Sequence, residues 1–467
     1  MLLAASLPPW PVTDGAWPLG LVGAAVLFLA LEGLSPWRRV ACGMAAGLGL
    51  YLPGLWWMRD FSIPGYVVAT LLEAAILAAG AALVPAAAGW RRAAAFPAAL
   101  VLVEQVRGTW PFGGLPISGI DLGQVDGPLA PAARIGGRLL LVALVGVGGV
   151  AVAALVRRRW QVAGVGAALV AGVALLGVVA PDGAFDRRLT VAVVQGGGPR
   201  GVRAVDSDPA PVFRRHVDAT AGVRPPVDLV LWPEDVVDVG AEVATTPEGA
   251  TLAALARSLG ATLVAGVVQD EPDDRFRNSA VPWGPDGTLL PRYDKVHRVP
   301  FGEYIPARGL FERLADVSDV PRDASVGRGP AVLDTPAGRL GVVISYEVFF
   351  PDRARSAVRA GGRVVLVPTN ASSYRDSQIP TQEVVVARLR ALETGRWVVQ
   401  AAPTGYSAVI DHQGVVRSQG GLGGAEVLQA GVDLRTGHTV FVSLGPAPWL
   451  AGAVLALVLA TVRRRGR

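Results

Sequence analysis

The stretch Gly341-Val342-Val343-Ile344-Ser345-Tyr346-Glu347-Val348-Phe349-Phe350-Pro351-Asp352 decides the fold class. Its first five residues are a short β-rich run, and Pro351 stands where a first helical turn tolerates a residue without an N–H. A strand over Gly341–Ser345 feeding a helix over Pro351–Ala360 is predicted, with a hydroxyl and a carboxylate at the turn between them. The same alternation recurs on both sides. Strands are predicted at Leu189–Gln195, Val227–Trp232, Thr262–Val268, Arg363–Pro368 and Trp397–Ala402, and helices at Pro211–Gly222, Pro247–Leu259 and Thr381–Gly395. Residues 188–438 therefore read as one α/β domain, without a solenoid repeat or a low-complexity linker.

Outside it the chain changes character. Over 467 residues the composition is 51% hydrophobic and only 17% charged, with a mean hydropathy of +0.42, which excludes a disordered or ordinary soluble protein. Seven apolar runs are candidates to cross a bilayer: Pro18–Leu34, Val40–Met58, Tyr66–Trp90, the shorter Ala93–Val106, Arg138–Val156, Trp160–Ala180 and Leu444–Val462. Arg38 and Arg39, Arg91 and Arg92, Arg157 to Arg159, and Arg463 to Arg465 fall in every second connection, as cytoplasmic loops require. Residues 181–443 are then extracytoplasmic, and so is residue 1. Leu2–Pro9 reads as the end of a helix cut short or as an unusual first helix. The expected organisation is a membrane domain over residues 1–180, the α/β domain over 188–438, and a closing helix with a basic tail over 439–467.

Within the membrane part, Glu32, Glu73 and Glu104 are expected near an interface, since an ionised carboxylate in hydrocarbon is costly. Cys42 is expected to be a buried structural thiol. The loop 107–136, with Trp110, Phe112 and Leu115, is long enough to line an entrance for lipid.

Chemistry in such sheets collects where strands end. Three places offer it: Glu234 after Trp232-Pro233, Lys295 within the charged and aromatic run Tyr293 to Pro306, and Ser345. Singly these are a helix cap, a solvated loop and a turn serine. Together they supply a base, a cation for an oxyanion and a nucleophile, the three roles of acyl transfer. One cysteine and four scattered histidines give no metal-ligand spacing and no disulfide. The run Gly196-Gly197-Gly198-Pro199 lacks the Lys-Ser/Thr of a phosphate loop and reads as an active-site loop. The net charge of +5 is explained by loop arginines facing lipid headgroups, not by nucleic acid.

On these residues the chain resembles the apolipoprotein N-acyltransferases, membrane members of the nitrilase (carbon-nitrogen hydrolase) superfamily. The resemblance spans nearly the whole chain. It rests on Trp232-Pro233-Glu234, on Tyr293 to Pro306, and on Ser345-Tyr346-Glu347 through Pro351-Asp352. It continues in Ala387-Arg388 through Gly395-Arg396 to Ala402-Pro403-Thr404-Gly405, and in Phe112-Gly113-Gly114-Leu115-Pro116. It implies a multi-span α-helical membrane domain plus an α/β nitrilase-like αββα sandwich outside the cytoplasmic or inner membrane. It also implies a Glu-Lys-Cys triad that needs no cofactor. The cysteine takes an acyl chain from a phospholipid donor and passes it to the α-amino group of a diacylglyceryl lipoprotein. By position, Glu234 is the general base and Lys295 the oxyanion stabiliser. Glu303, Glu347 and Tyr346 are supporting groups, and Ser345 stands at the nucleophile.

A serine there is far less acidic than a thiol, and its ester is a poorer donor to an amine. Weak or absent turnover is therefore expected, with a catalytically silent lipid- or lipoprotein-binding homologue and a membrane-tethered amidase as the alternatives. The chain also departs from the family at Gly196-Gly197-Gly198-Pro199, at Asn370-Ala371-Ser372-Ser373-Tyr374, and at Gln382-Glu383, where the family has Gln-His. Four departures favour natural divergence over a single engineered exchange.

Overall fold

The computed structural model describes residues 1–9, 15–198, 208–313 and 317–461. The basic tail Arg463 to Arg465, Val462 and Pro199 lie outside the described residues. The chain divides into two compact units, Met1–Pro181 with Thr439–Arg467, and Asp182–His438.

The first unit is helical. After a single turn, α1 (Leu2–Ala5), come α2 (Trp17–Ala30), α3 (Pro36–Gly54), α4 (Ile63–Leu83), α5 (Trp90–Arg107), α6 (Ala133–Val156) and α7 (Trp160–Val179). Of these, α4, α6 with the turn before it, and α7 are long and apolar enough to cross a membrane, and α2 is a shorter apolar helix. The predicted run Tyr66–Trp90 stops being helical at Leu83, ahead of Pro85. Helices α3 and α4 pack closely because Gly43 and Gly47 carry no side chain. A Cβ on Gly47 would lie 2.5 Å from the Cα of Ala74, the close approach that a small-xxx-small pair permits in membrane helices. Cys42 sits about 100° around the helix from Gly43. It is half-buried, which corrects the expectation of a buried thiol.

Two of the three membrane carboxylates are buried inside the helical unit. Glu73 and Glu104 are 2% and 0% exposed. Arg107 bonds both, its Nη1 lying 2.9 Å from each Glu104 oxygen, and Arg138 Nη2 lies 2.6 Å from Glu104 Oε2 and 3.2 Å from Asp121 Oδ1. Burial is tolerated because each carboxylate has a cation inside the unit. Glu32, partly exposed, faces Arg92 and Arg157. In the loop after α5, Trp110 and Phe112 are exposed, whereas the 3-10 turns Leu122–Gln124 and Ala130–Ala132 are buried.

The second unit is a pair of stacked sheets. The first contains β1 (Ala184–Gln195), β2 (Leu229–Leu231), β3 (Val237–Val239), β4 (Thr262–Glu271), β5 (Arg275–Trp283), β6 (Tyr293–Asp294) and β7 (Asp323–Ala324). The second contains β8 (Val332–Thr335), β9 (Gly338–Val342), β10 (Val365–Pro368), β11 (Val398–Ala401), β12 (Ala408–Ile410) and β13 (Val416–Gln419), and β14 (Glu426–Thr436) returns to the first. The orders are β14-β1-β2-β4-β5-β6, with β3 on β4 and β7 on β5, and β13-β12-β11-β10-β9-β8. In each sheet the central strands β1-β2-β4 and β9-β10-β11 are parallel.

Strand alternation builds the layers. Val191 and Val193 join Leu229, Leu231, Leu340, Val342, Leu366 and Val399 in the core between the sheets. Their neighbours Ala192 and Val194 point the other way, with Trp232, Leu252 and Ala256, toward α8 (Pro209–Thr220) and α9 (Pro247–Leu259). A short α10 (Arg308–Phe311) follows β6, and α11 (Pro351–Arg359) and α12 (Ile379–Thr394) cover the second sheet. The result is an αββα sandwich. After it, α13 (Val440–Leu444) and α14 (Ala447–Thr461) belong to the helical unit, α14 packing on α5.

Candidate active site

Parallel strands deliver their C-terminal ends to one edge, and three of them carry the site. Beyond β2, Trp232 is fully buried and donates from Nε1 to Thr220 Oγ1 at 3.1 Å. Glu234 follows Pro233, and Asp235 then turns with φ +56°. The neighbouring strand β4 makes room with Gly266, where a Cβ would lie 2.4 Å from Glu234 Cα and from the Pro233 carbonyl oxygen.

Lys295 follows β6 and is held by its own N–H to the Asn278 carbonyl of β5 at 2.9 Å. Its ammonium lies 2.9 Å from Glu234 Oε1 and 3.0 Å from Glu303 Oε1. The Asn278 amide donates to the same two oxygens at 2.9 and 2.8 Å. The four side chains therefore close a ring in which one ammonium and one amide bridge two carboxyl groups. Burial raises the Glu234 pKa, and Lys295 opposes the rise without cancelling it. Burial works against the Lys295 ammonium, but Glu234 and Glu303 outweigh it and hold its pKa above the lysine range.

Ser345 opens a 3-10 turn, Ser345–Phe349, with φ +49°. The predicted strand ends earlier, at Val342, although the backbone is still extended at Ile344 before the left-handed Ser345. A left-handed non-glycine residue is strained and marks sharp strand-to-helix turns that present a nucleophile. Its hydroxyl lies 3.3 Å from Thr369 Oγ1, which is 2.9 Å from Glu383 Oε1. Thr369 comes directly after β10 and Glu383 lies in the first turns of α12. Burial pushes the Glu383 pKa up to about 8; the Thr369 hydrogen bond opposes this and the charge of Glu234 adds to it.

Glu347 holds the two halves together. Fully buried, it accepts from Tyr293 Oη at 2.8 Å and from the N–H groups of Val296, His297 and Ile344 at 2.8, 3.1 and 2.8 Å. It thus ties the Lys295 segment to the Ser345 turn. Glu303 also caps Val299 N–H at 2.8 Å. Tyr346 packs on Phe349 and Phe350.

The structure therefore joins Glu234, Lys295 and Glu303 directly, and Ser345 to a different pair. Asn278, Thr369 and Glu383 escaped the sequence reading. Asn278 lies on an unpredicted strand, and Thr369 looks like any strand-end threonine. Glu383 did leave a signal, the Gln382-Glu383 departure. Among the described residues, no group of His, Cys, Asp or Glu side chains converges as metal ligands would.

Comparison with known proteins covers both units. Residues 190–440 match the carbon-nitrogen hydrolase family, and residues 1–155 match the apolipoprotein N-acyltransferase N-terminal domain. An apolipoprotein N-acyltransferase of Azotobacter vinelandii is 32% identical, with 96% of this chain and 91% of that protein covered. One of Photobacterium profundum is 28% identical, over 97% and 92%. Among solved structures, Nit3 of Saccharomyces cerevisiae, a nitrilase-superfamily member, is 21% identical with a TM-score of 0.42, covering 60% of this chain and 98% of that one.

Proposed function

This chain belongs to the apolipoprotein N-acyltransferase family, acyltransferases of lipoprotein biosynthesis, and we propose that Ser345 carries the acyl group in its reaction. Glu234 serves as general base, Lys295 steadies the tetrahedral oxyanion, and Glu303, Glu347 and Tyr346 support them. Ser345 Oγ attacks the ester carbonyl of a phospholipid, the glycerol oxygen leaves with a proton, and an acyl-serine ester remains. The α-amino group of a lipoprotein's diacylglyceryl cysteine then attacks that ester, forming an amide and freeing the hydroxyl. The membrane domain, residues 1–180 with the closing segment 439–467, anchors the chain in the cytoplasmic or inner membrane. Residues 188–438 work on its outer side.

The observation that supports this reading most is the buried ring of Glu234, Lys295, Glu303 and Asn278. It keeps a cation and a carboxylate of raised pKa out of bulk water, where both act most strongly.

The test is reconstitution of the full chain in phospholipid vesicles with a diacylglyceryl-cysteine peptide, followed by mass spectrometry of the peptide and of Ser345. N-acylated peptide and acylated Ser345, both lost in Ser345→Ala, support the reading. N-acylation that survives Ser345→Ala refutes it, and no product from either protein favours a lipid-binding homologue.

A further inference from the structure

The hydrogen bond of the Ser345 hydroxyl goes to Thr369 Oγ1, not to the ring around Lys295. All three members of the resulting chain are buried, Ser345 at 8%, Thr369 at 0% and Glu383 at 4% exposure. A threonine hydroxyl has one proton to give, yet Thr369 Oγ1 stands between two oxygens, 3.3 and 2.9 Å away. The protonation of Glu383 therefore sets the direction of the chain. An ionised Glu383 only accepts, so the Thr369 proton points to it and the Thr369 lone pairs are left for Ser345 O–H. A protonated Glu383 donates, which turns the Thr369 proton toward Ser345 Oγ.

We propose that Thr369 and Glu383 form a relay that takes the proton of Ser345 in the first half-reaction and returns it in the second. The proposal rests on the reading of Ser345 as the acyl carrier and divides the acid–base work of that reading. In acylation, the Oγ–C bond forms as Ser345 passes its proton to Thr369 Oγ1 and Thr369 passes its own to Glu383. The phospholipid C–O bond breaks, and the leaving oxygen takes a proton from Glu234. In the second half, Glu234 removes a proton from the attacking amine as the C–N bond forms. The Oγ–C bond then breaks, and Ser345 regains its proton from Thr369, which is refilled by Glu383. One proton alternates between two carboxyls and the cycle closes.

The electrostatics suit this alternation. Burial lifts both Glu234 and Glu383, and the charge of Glu234 raises Glu383 further. The charged groups acting on Glu383 are Glu234, beyond β2, and Lys295, beyond β6. On the neighbouring turn and helix, Glu347 and Arg353 are engaged with Tyr293. Thr369 touches the reacting oxygen, and Glu383, which acts through it, is a positioning residue. A thiol needs no such relay, because it ionises readily beside a single base.

The test uses the full chain in phospholipid vesicles, following acyl-Ser345 with the peptide withheld and N-acylated peptide with it added. Glu383→Gln and Thr369→Val are each expected to slow acyl-Ser345 formation about 100-fold, and Thr369→Ser to restore most of it, the range general acid–base groups supply. In the unsubstituted chain, acylation rises with pH as Glu383 ionises; in Glu383→Gln that limb disappears. In a Ser345→Cys background, Glu383→Gln is expected to cost less than about threefold, since the thiolate forms without it. Equal losses in the serine and Ser345→Cys backgrounds overturn the relay, as does an unchanged pH limb or an active Thr369→Val. If Glu383→Gln fails to fold, the Thr369→Val and Thr369→Ser pair decides. Activity in Ser345→Ala, or no acylation by the unsubstituted chain, sinks the acyl-carrier reading and the relay with it. An inactive Ser345→Ala beside an active Glu383→Gln sinks the relay alone.

Discussion

Lys295→Met withdraws a charge from the ring while keeping a flexible apolar side chain of similar length. Two carboxylate oxygens then lose an ammonium at 2.9 and 3.0 Å, and only the Asn278 amide still bridges them. Removing one partner of a buried ion pair costs about 3–5 kcal/mol. Here one cation serves two acids and the amide returns part of the loss, so about 4 kcal/mol is expected near neutral pH. The deficit has a sign in pH. Glu234 already holds a pKa above its unfolded value, and losing Lys295 raises it further. A group with a raised folded-state pKa contributes stability that is intact below its unfolded pKa and drains away as pH rises through the folded one. The deficit should therefore grow as pH rises above the ordinary glutamate range and through the raised folded-state pKa of Glu234, by at most about 1.4 kcal/mol per pH unit for each proton. Pulse proteolysis in urea, read on fragments of residues 182–438, measures it. A loss below about 1 kcal/mol, or a deficit that shrinks as pH rises, refutes the reasoning.

Glu347→Gln removes the charge that four donors share and should cost about 3 kcal/mol. Acyl transfer should fall with it, and unchanged proteolysis and transfer rates would contradict the clamp role. Gly266→Ala forces a methyl against Glu234 Cα and the Pro233 oxygen. A stability loss of about 1–3 kcal/mol is expected, with acyl transfer reduced well beyond what unfolding explains. Transfer assays at a temperature where both proteins stay folded check it. Arg107→Lys keeps the charge but not the planar fork that spans Glu73, Glu104 and the carbonyls of Leu115 and Ile117. It should lose about 2 kcal/mol, nearly as much as Arg107→Met; a lysine variant that melts like the parent in detergent would show that charge alone suffices.

Much of the α/β unit was legible because burial alternation is a local signal. The predicted helix Pro247–Leu259 matches α9, and all six predicted strands fall on observed ones. The other eight strands were not predicted; the two longest of these have a broken signal, β5 with Arg275, Asn278 and Pro282 in its nine residues, and β14 with exposed and half-buried positions at the sheet edge. The partners of the membrane carboxylates were hidden for a related reason. Hydropathy assigns Glu73 and Glu104 a cost but cannot see that Arg107 and Arg138 meet them within the bundle.

Sequence alone established the two-unit character, the strand-to-helix turns, Glu234 and Ser345 as residues at the ends of strands, and Lys295 as a candidate within a charged and aromatic run. Each is a property of a short window, fixed by periodicity, proline placement or the length of an apolar run. Only the tertiary structure decided what those side chains touch. Lys295 meets Glu234 across 61 residues of chain and Asn278 meets it across 44, while Ser345 reaches Thr369 across 24. Those pairings depend on which strands lie adjacent and in what register. The stacking of two sheets sets that by burying the most apolar surface at once.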